Sequence, residues 1–255
     1  MSIRRIQIIG LGTVGEATAY LFNKLGYEVL GYDINLKKKS YAKSLEAPTN
    51  ADLTFICVPE RAVASVIEIL MNCKVEPPYV IRSTVKPGTT EALMKKYGIH
   101  LIHNPEFLRE KYALHDVMNP SRIIIGQCCE AHGKLLMKLY EPLGRPIYLT
   151  SPTISEVVKL TVNLLRMNII TFWNVIHEIC TSLNIDTKTV AELVDQVKTI
   201  GEYEGGNWGV KFFGRRFDGK CFPENLDQII EFCMERGLDT EFFKMIKKIN
   251  QRYPP

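Results

Sequence analysis

Three glycines and a carboxylate carry the most legible chemistry in this 255-residue sequence. In "GLGTVG", Gly10, Gly12 and Gly15 follow the apolar run "IQII" directly and open a helical pattern. The spacing predicts a tight turn at Gly10, a backbone that a pyrophosphate can approach at Gly12, and close helix–strand packing at Gly15. Thr13 and Val14 start the helix, whose free N–H groups and positive dipole end face the phosphates. Eighteen residues past Gly15, Asp33 ends a second apolar run, where a carboxylate can accept bonds from a ribose diol. An acid there favours NAD, because it repels the extra phosphate of NADP. The basic run Lys37-Lys38-Lys39 weakens that preference a little.

Other reactive side chains are less specific by themselves. Cys221 in "DGKCFPENL" stands just before a helical segment, and a thiol can be a nucleophile or a packing group. Lys159 and Asn163 lie four apart in "EVVKLTVN", hence on one helix face. Glu106 follows Pro105 in "NPEFLRE", and Thr84 ends a strand in "STVKPGTT". By residue type these also fit a polar helix edge, a turn carboxylate and a strand-end cap. Cys57, Cys180 and Cys233 fall on apolar faces, where cysteine is usually inert. Neither the seven cysteines, with Cys128 and Cys129 adjacent, nor the five histidines show metal-ligand spacing, so no metal is expected. His100 and His103 flank a strand, and His115 ends a helix built on "NPEFLRE".

The elements that must position these groups follow from periodicity. "IQIIG", "YEVLGYD", "LTFICVP", "YVIRST", "IHLIHN", "RIIIG" and "PIYLT" read as strands, with helical patterns between most of them. Repeated β-α-β implies a parallel sheet covered on both faces, a Rossmann-type doubly wound α/β domain over residues 1–150. Residues 151–255 form the second domain, all-α. It begins with about eight helical turns from Ser155 to Leu183, roughly 40 Å long, without Gly or Pro. That helix is apolar on more than one face, so it is expected to pack on the first domain and on a twin subunit. "DTKTVAELVDQV" carries an N-cap, residues 201–220 are Gly-rich and irregular, and two short helices close the sequence.

Composition bounds the function. A net charge of +4 with mixed signs argues against nucleic acid and suits an anionic small molecule. No apolar run is long enough to span a bilayer, and the N-terminus lacks a secretory signal. An odd cysteine count without a disulfide framework points to the cytoplasm.

"GLGTVG", "NADLTFICVP", "STVKPGTT", "NPEFLREKYALHD", "EVVKLTVN" and "FDGKCFPENL", in this order, resemble the nucleotide-sugar 6-dehydrogenase family of UDP-glucose and GDP-mannose dehydrogenases. The resemblance implies a Rossmann domain, a long dimerising helix, and oxidation of a sugar CH₂OH to the acid by two hydride transfers to NAD. It implies Cys221 as the nucleophile that traps the aldehyde and carries the thioester, and Lys159 with Asn163 as oxyanion stabilisers. Glu106 is implied as the acid–base carboxylate and Thr84 as the hydroxyl that places water. Thr13, Val14, Lys38, Val58, Pro59, Ser83, Thr84 and Glu110 are implied as cofactor contacts beside Gly10, Gly12, Gly15 and Asp33.

The sequence also departs from the family pattern GGxCxPKD. Asp218 replaces a glycine, and Asn225 replaces an aspartate that assists proton movement; an amide cannot take a proton. Asp218 and Glu224 add negative charge near Cys221, which disfavours a thiolate. Thr199 stands in place of an arginine, the segment after Asp33 is short, and the Gly201–Cys221 connection is longer, with Gly205-Gly206-Asn207-Trp208. The sequence ends at about where a C-terminal nucleotide-gripping domain would begin, which a second chain could supply. Two expectations stand: a minimal dehydrogenase acting on a sugar or nucleotide sugar, or an NAD-holding regulatory or relic subunit. A β-hydroxyacid dehydrogenase, which needs no cysteine, fits "NPEFLRE" and "CFPEN" less well.

Overall fold

The computed structural model describes residues 3–35, 40–196, 214–219 and 221–255. The chain divides into two compact units, Met1–Lys159 and Leu160–Pro255, with the division inside the long helix.

The apolar runs of the first unit become one sheet: β1 (Arg5–Ile9), β2 (Glu28–Tyr32), β3 (Lys43–Ser44), β4 (Leu53–Ile56), β5 (Tyr79–Ile81), β6 (Leu101–His103), β7 (Ile123–Gly126) and β8 (Ile147–Thr150). The strand order is β3-β2-β1-β4-β5-β6-β7-β8. Only β3 has no apolar run to announce it; its two residues are exposed and pair with Leu30 and Gly31. Alternation across the pleat sends neighbouring residues to opposite faces. Ile8, Phe55, Val80 and Ile102 meet α1 (Thr13–Lys24), α4 (Ala113–Met118) and α5 (Glu130–Tyr140). Ile9, Ile56, Ile81 and Leu101 meet α2 (Glu60–Asn72) and α3 (Thr89–Tyr97) on the other face. The sheet is thus doubly wound, as the periodicity predicts.

One pairing departs from the parallel expectation. β6 and β7 are antiparallel, with His103 opposite Gly126. The cause lies in the connection. "NPEFLRE" is not helical: the chain is irregular from Asn104 to Arg109, makes a 3₁₀ turn over Glu110–Tyr112, and forms only the six-residue α4. Six residues cover about 9 Å, too little to carry the chain back along a strand and re-enter in parallel.

Helix α6 (Pro152–Ser182) has 31 residues. Proline opens it where its missing N–H costs nothing, and no glycine or later proline interrupts it. Its first turns are pinned to the first unit by a buried carboxylate. Glu156 accepts bonds from Thr90 N at 2.8 Å, Thr90 Oγ1 at 2.6 Å and Gly88 N at 2.5 Å. It therefore caps α3 from another element, and burial pushes its carboxyl above the usual range.

In the second unit the described elements are helices: the rest of α6, α7 (Thr187–Asp195), α8 (Cys221–Glu235) and α9 (Glu241–Asn250). Asp186 caps α7 by accepting from Lys188 N and Thr189 N. Met167, Ile170, Phe217, Leu226 and Ile246 form the core, with a smaller cluster of Ile169, Trp173 and Ala191. No helix among the described residues is long and apolar enough to cross a membrane.

Candidate active site

The strand order reverses between β1 and β4, which opens a crevice at the carboxyl ends of the strands. Gly10 and Asp33 directly follow β1 and β2, and Val58 and Ser83 lie two residues past the ends of β4 and β5, at this edge. Gly10 has φ +88°, and a Cβ there would lie 2.8 Å from Val58 Cγ1 and 2.9 Å from the Cys57 carbonyl. At Gly15 a Cβ would sit 1.8 Å from the Gly10 carbonyl oxygen. These two glycines are required by the fold itself. Gly12 is different: it caps α1 with φ −71°, and a Cβ would meet nothing within 4 Å. Neither strain nor packing in this chain asks for glycine there, which leaves the close approach of a ligand.

Asp33 is built into the same turn. Its Oδ2 accepts from Leu11 N at 2.7 Å and its Oδ1 from Asn35 N at 2.9 Å. Ser83 Oγ donates to the Val58 carbonyl at 2.5 Å, tying the ends of β4 and β5 together. Pro59 caps α2, and Thr13 and Val14 form the first turn of α1. Glu110 opens the exposed 3₁₀ turn. Lys38 lies outside the described residues, as do Lys37, Lys39, Thr199 and residues 205–208. The donors, the open Gly12 face and the helix N-terminus fit a dinucleotide.

Beyond β6, on the same edge, stands a buried ion pair. Lys159 Nζ, on α6, donates to the Glu106 carbonyl at 2.6 Å and to Glu106 Oε1 at 3.1 Å. Its side chain is 5% exposed and that of Glu106 is 11% exposed. Glu106 Oε2 accepts from Leu108 N at 2.6 Å, and the ammonium lies 5.4 Å from the Phe107 ring centre. Burying two charges costs several kcal/mol per ion before pairing offsets it, so structure alone is a weak reason for such a pair. Below it His103 is fully buried. Its Nε2 faces only the Ser83 carbonyl (3.3 Å), so that nitrogen carries the proton, and Nδ1 accepts from Ser155 Oγ at 2.8 Å. Burial pushes this imidazole down to about 3. Arg82 was missed by sequence reasoning although it precedes Ser83. It is buried, and donates to Asn104 Oδ1 at 2.6 Å and Tyr140 Oη at 2.7 Å.

The second unit holds the remaining predicted residues. Cys221 is the exposed first residue of α8, at the positive end of a helix dipole, which favours a thiolate. Gly219 has φ +87°, which explains glycine at that position. The charge of Asp218 is shared with Arg216 at 3.4 Å, so it does not act on the thiol alone. Asn163 Nδ2 donates to Asn225 Oδ1 at 2.5 Å, and Asn225 Nδ2 donates to Gln228 Oε1 at 2.9 Å. All three amides are buried. Asn225 therefore fixes Asn163 but carries no proton. Two asparagines that the sequence did not flag hold the chain before Cys221. Asn174 brackets Gly214 N (2.8 Å) and the Arg215 carbonyl (3.0 Å), while Asn250 brackets Phe217 N (2.8 Å) and its carbonyl (3.0 Å). Buried amides that clasp backbone leave no spacing signal in sequence.

Comparison with known proteins points to one family. Residues 40–144 match the NAD binding domain of the UDP-glucose/GDP-mannose dehydrogenase family, and residues 153–252 match its central domain. The chain is 28% identical to UDP-glucose 6-dehydrogenase YwqF of Bacillus subtilis (strain 168) over 298 residues, covering 96% of this chain and 65% of that protein. It is 27% identical to GDP-mannose 6-dehydrogenase of Pseudomonas putida over 278 residues, covering 87% of this chain and 62% of that one. The chain thus spans somewhat less than two thirds of these relatives. Among solved structures, a UDP-glucose dehydrogenase from the archaeon Pyrobaculum islandicum superposes with a TM-score of 0.83 at 27% identity, covering 98% of this chain and 68% of that one.

Proposed function

The chain belongs to the UDP-glucose/GDP-mannose dehydrogenase family, and we propose that it is an NAD-dependent oxidoreductase converting the primary alcohol of a sugar or nucleotide sugar to the acid. The observation that carries this reading is the buried Lys159–Glu106 pair on the same sheet edge as the open face of Gly12. A costly charged pair beside a dinucleotide crevice suits proton transfer and charge stabilisation.

In this reading Gly10, Gly12, Thr13, Val14 and Gly15 cradle the pyrophosphate, and Asp33 receives the ribose hydroxyls. Val58, Pro59, Ser83 and Glu110 complete the cofactor's surroundings, with Lys38 near the adenosine. Bound there, NAD would supply the hydride-accepting chemistry that the two oxidations need. Glu106 removes the alcohol proton as the aldehyde forms. The Cys221 sulfur then adds to the aldehyde carbon, and its proton passes to the oxygen, giving a thiohemiacetal. Lys159 and Asn163 stabilise the oxyanion of this adduct, with Asn225 holding the Asn163 amide in position. The second oxidation gives a thioester. Water placed by Thr84 and deprotonated by Glu106 cleaves it, releasing the acid and restoring the thiol. The helix start at Cys221 and the sharing of Asp218 with Arg216 support a reactive sulfur there.

We further propose a homodimer built on α6, where Leu165, Phe172 and Ile179 are exposed at seven-residue spacing. A reducing compartment, the cytoplasm, suits a chain of seven cysteines with no disulfide among the described residues.

The test is turnover with a panel of nucleotide sugars and free sugars, counting NADH per substrate consumed. Two per substrate is the expected result, with Cys221→Ala forming no acid. One per substrate, or acid from the Cys221→Ala protein, removes the thioester scheme. NADH binding without turnover on any sugar points instead to a regulatory subunit.

A further inference from the structure

The antiparallel step between β6 and β7 has a chemical result at the opposite edge of the sheet, away from the glycine turn. With His103 opposite Gly126, residues counted back along β6 run beside residues counted on from β7. His100, three before, therefore falls beside Cys129, three after. Cys129 is the extended N-cap of α5, and His132 lies on that helix's first turn. One ligand atom from each of His100, Cys128, Cys129 and His132 lies within 4.8 Å of all the others. His132 Nδ1 is 3.3 Å from both sulfurs, and the two imidazole rings meet edge-on with centres 4.8 Å apart.

We propose that His100, Cys128, Cys129 and His132 form a tetrahedral zinc site. Zinc–sulfur bonds of about 2.3 Å and zinc–nitrogen bonds of about 2.0–2.1 Å require S···N separations of about 3.6 Å in a tetrahedron. Both S···N distances to His132 are already within a few tenths of an ångström of that. Two thiolates with two imidazoles select zinc over magnesium or calcium, and the cluster contains no carboxylate. Four protein ligands leave no open coordination position, so the ion is structural, tying the start of β6 to the start of α5. Three ligands are half-buried and His100 is exposed, which gives an ion an entry path.

Local spacing hides the site, because His100 lies 28 residues before Cys128 in the sequence.

Cobalt(II) tests the assignment. The full chain, stripped with chelator and kept reduced, is titrated with cobalt and then zinc. The expected result is one cobalt per chain, with intense tetrahedral visible bands and thiolate charge-transfer absorption, both lost on adding one equivalent of zinc. Cys129→Ser and His100→Gln each lower affinity by more than about 100-fold, above the cost of an outer-shell change. His100 is exposed, so circular dichroism should show an intact fold in that variant. Cys73→Ser and Cys221→Ala leave the spectrum unchanged, which separates this site from the proposed nucleophile. Absence of cobalt bands in protein whose seven thiols titrate as free overturns the proposal. So does a spectrum that survives both ligand variants, or a Cys128–Cys129 disulfide that persists under reductant.

Discussion

Gly15 meets backbone at 1.8 Å if given a Cβ, and Gly12 meets nothing. Sequence spacing treats these glycines as one motif, yet the two positions answer to different constraints, and that separates packing from binding experimentally. Gly15→Ala forces Cβ onto a carbonyl that cannot move without opening the turn, and is expected to cost about 3 kcal/mol or more. Gly12→Ala has an ordinary φ and open space, so stability should stay level or rise by about 0.4–1 kcal/mol through the unfolded chain. Its NADH affinity should nevertheless fall at least tenfold, because the methyl occupies the pyrophosphate's approach. Thermal melts and fluorescence titration of both variants check this. Unchanged NADH affinity in Gly12→Ala removes the ligand argument for that glycine. At this scale the sequence was most informative where backbone chemistry sets the residue type, as at Gly10, Gly12, Gly15 and Asp33. It was silent on Arg82, Asn174 and Asn250, whose polar atoms answer to partners distant in sequence.

Elements were legible where apolar residues repeat, which is why seven strands and the long helix follow the pattern. Direction was not. Nothing in "IHLIHN" or "RIIIG" says that β7 turns against β6, because direction depends on how far the connection travels rather than on the strands. His103 sits at this junction, wedged between β5 and the start of α6, and it makes the packing sensitive to pH. Its folded pKa is pushed down to about 3 by burial, with the Lys159 and Arg82 charges adding to the effect. The unfolded chain binds a proton near pH 6.5 and the folded one only near 3. This contribution is therefore complete above about 6.5 and is lost as pH falls through the window between, by at most about 1.4 kcal/mol per pH unit. Urea midpoints measured at pH 7.5, 6 and 5 should fall accordingly. His103→Gln should be less stable by about 1–3 kcal/mol at pH 7.5, from unpaired Ser83 and Ser155 groups, but should show a flatter decline. An equally steep decline in that variant places the acid sensitivity elsewhere.

At the scale of the whole molecule, the length and apolarity of α6 exceed what its own unit buries. Met167, Ile170 and Trp173 fill the second unit's cores, while Leu165, Phe172 and Ile179 stand 45–55% exposed on the same helix. Their seven-residue spacing makes a continuous stripe, the pattern by which one helix seats against a second copy. That the helix is apolar on more than one face was readable in the sequence. Which face the core takes was not, because it depends on where α7, α8 and α9 pack. A two-fold dimer would bury each of the three side chains against its counterpart's helix. Phe172→Glu then sets a charge in the middle of the stripe and should weaken self-association by at least about 30-fold, equivalent to about 2 kcal/mol for one central aromatic anchor. Phe172 is exposed within its own chain, so the fold should survive, and helical circular dichroism should match the parent. Sedimentation equilibrium over a hundredfold concentration range decides the matter. A parent chain that sediments as a monomer, or a Phe172→Glu dimer as tight as the parent's, would mean that the stripe meets something other than a second copy.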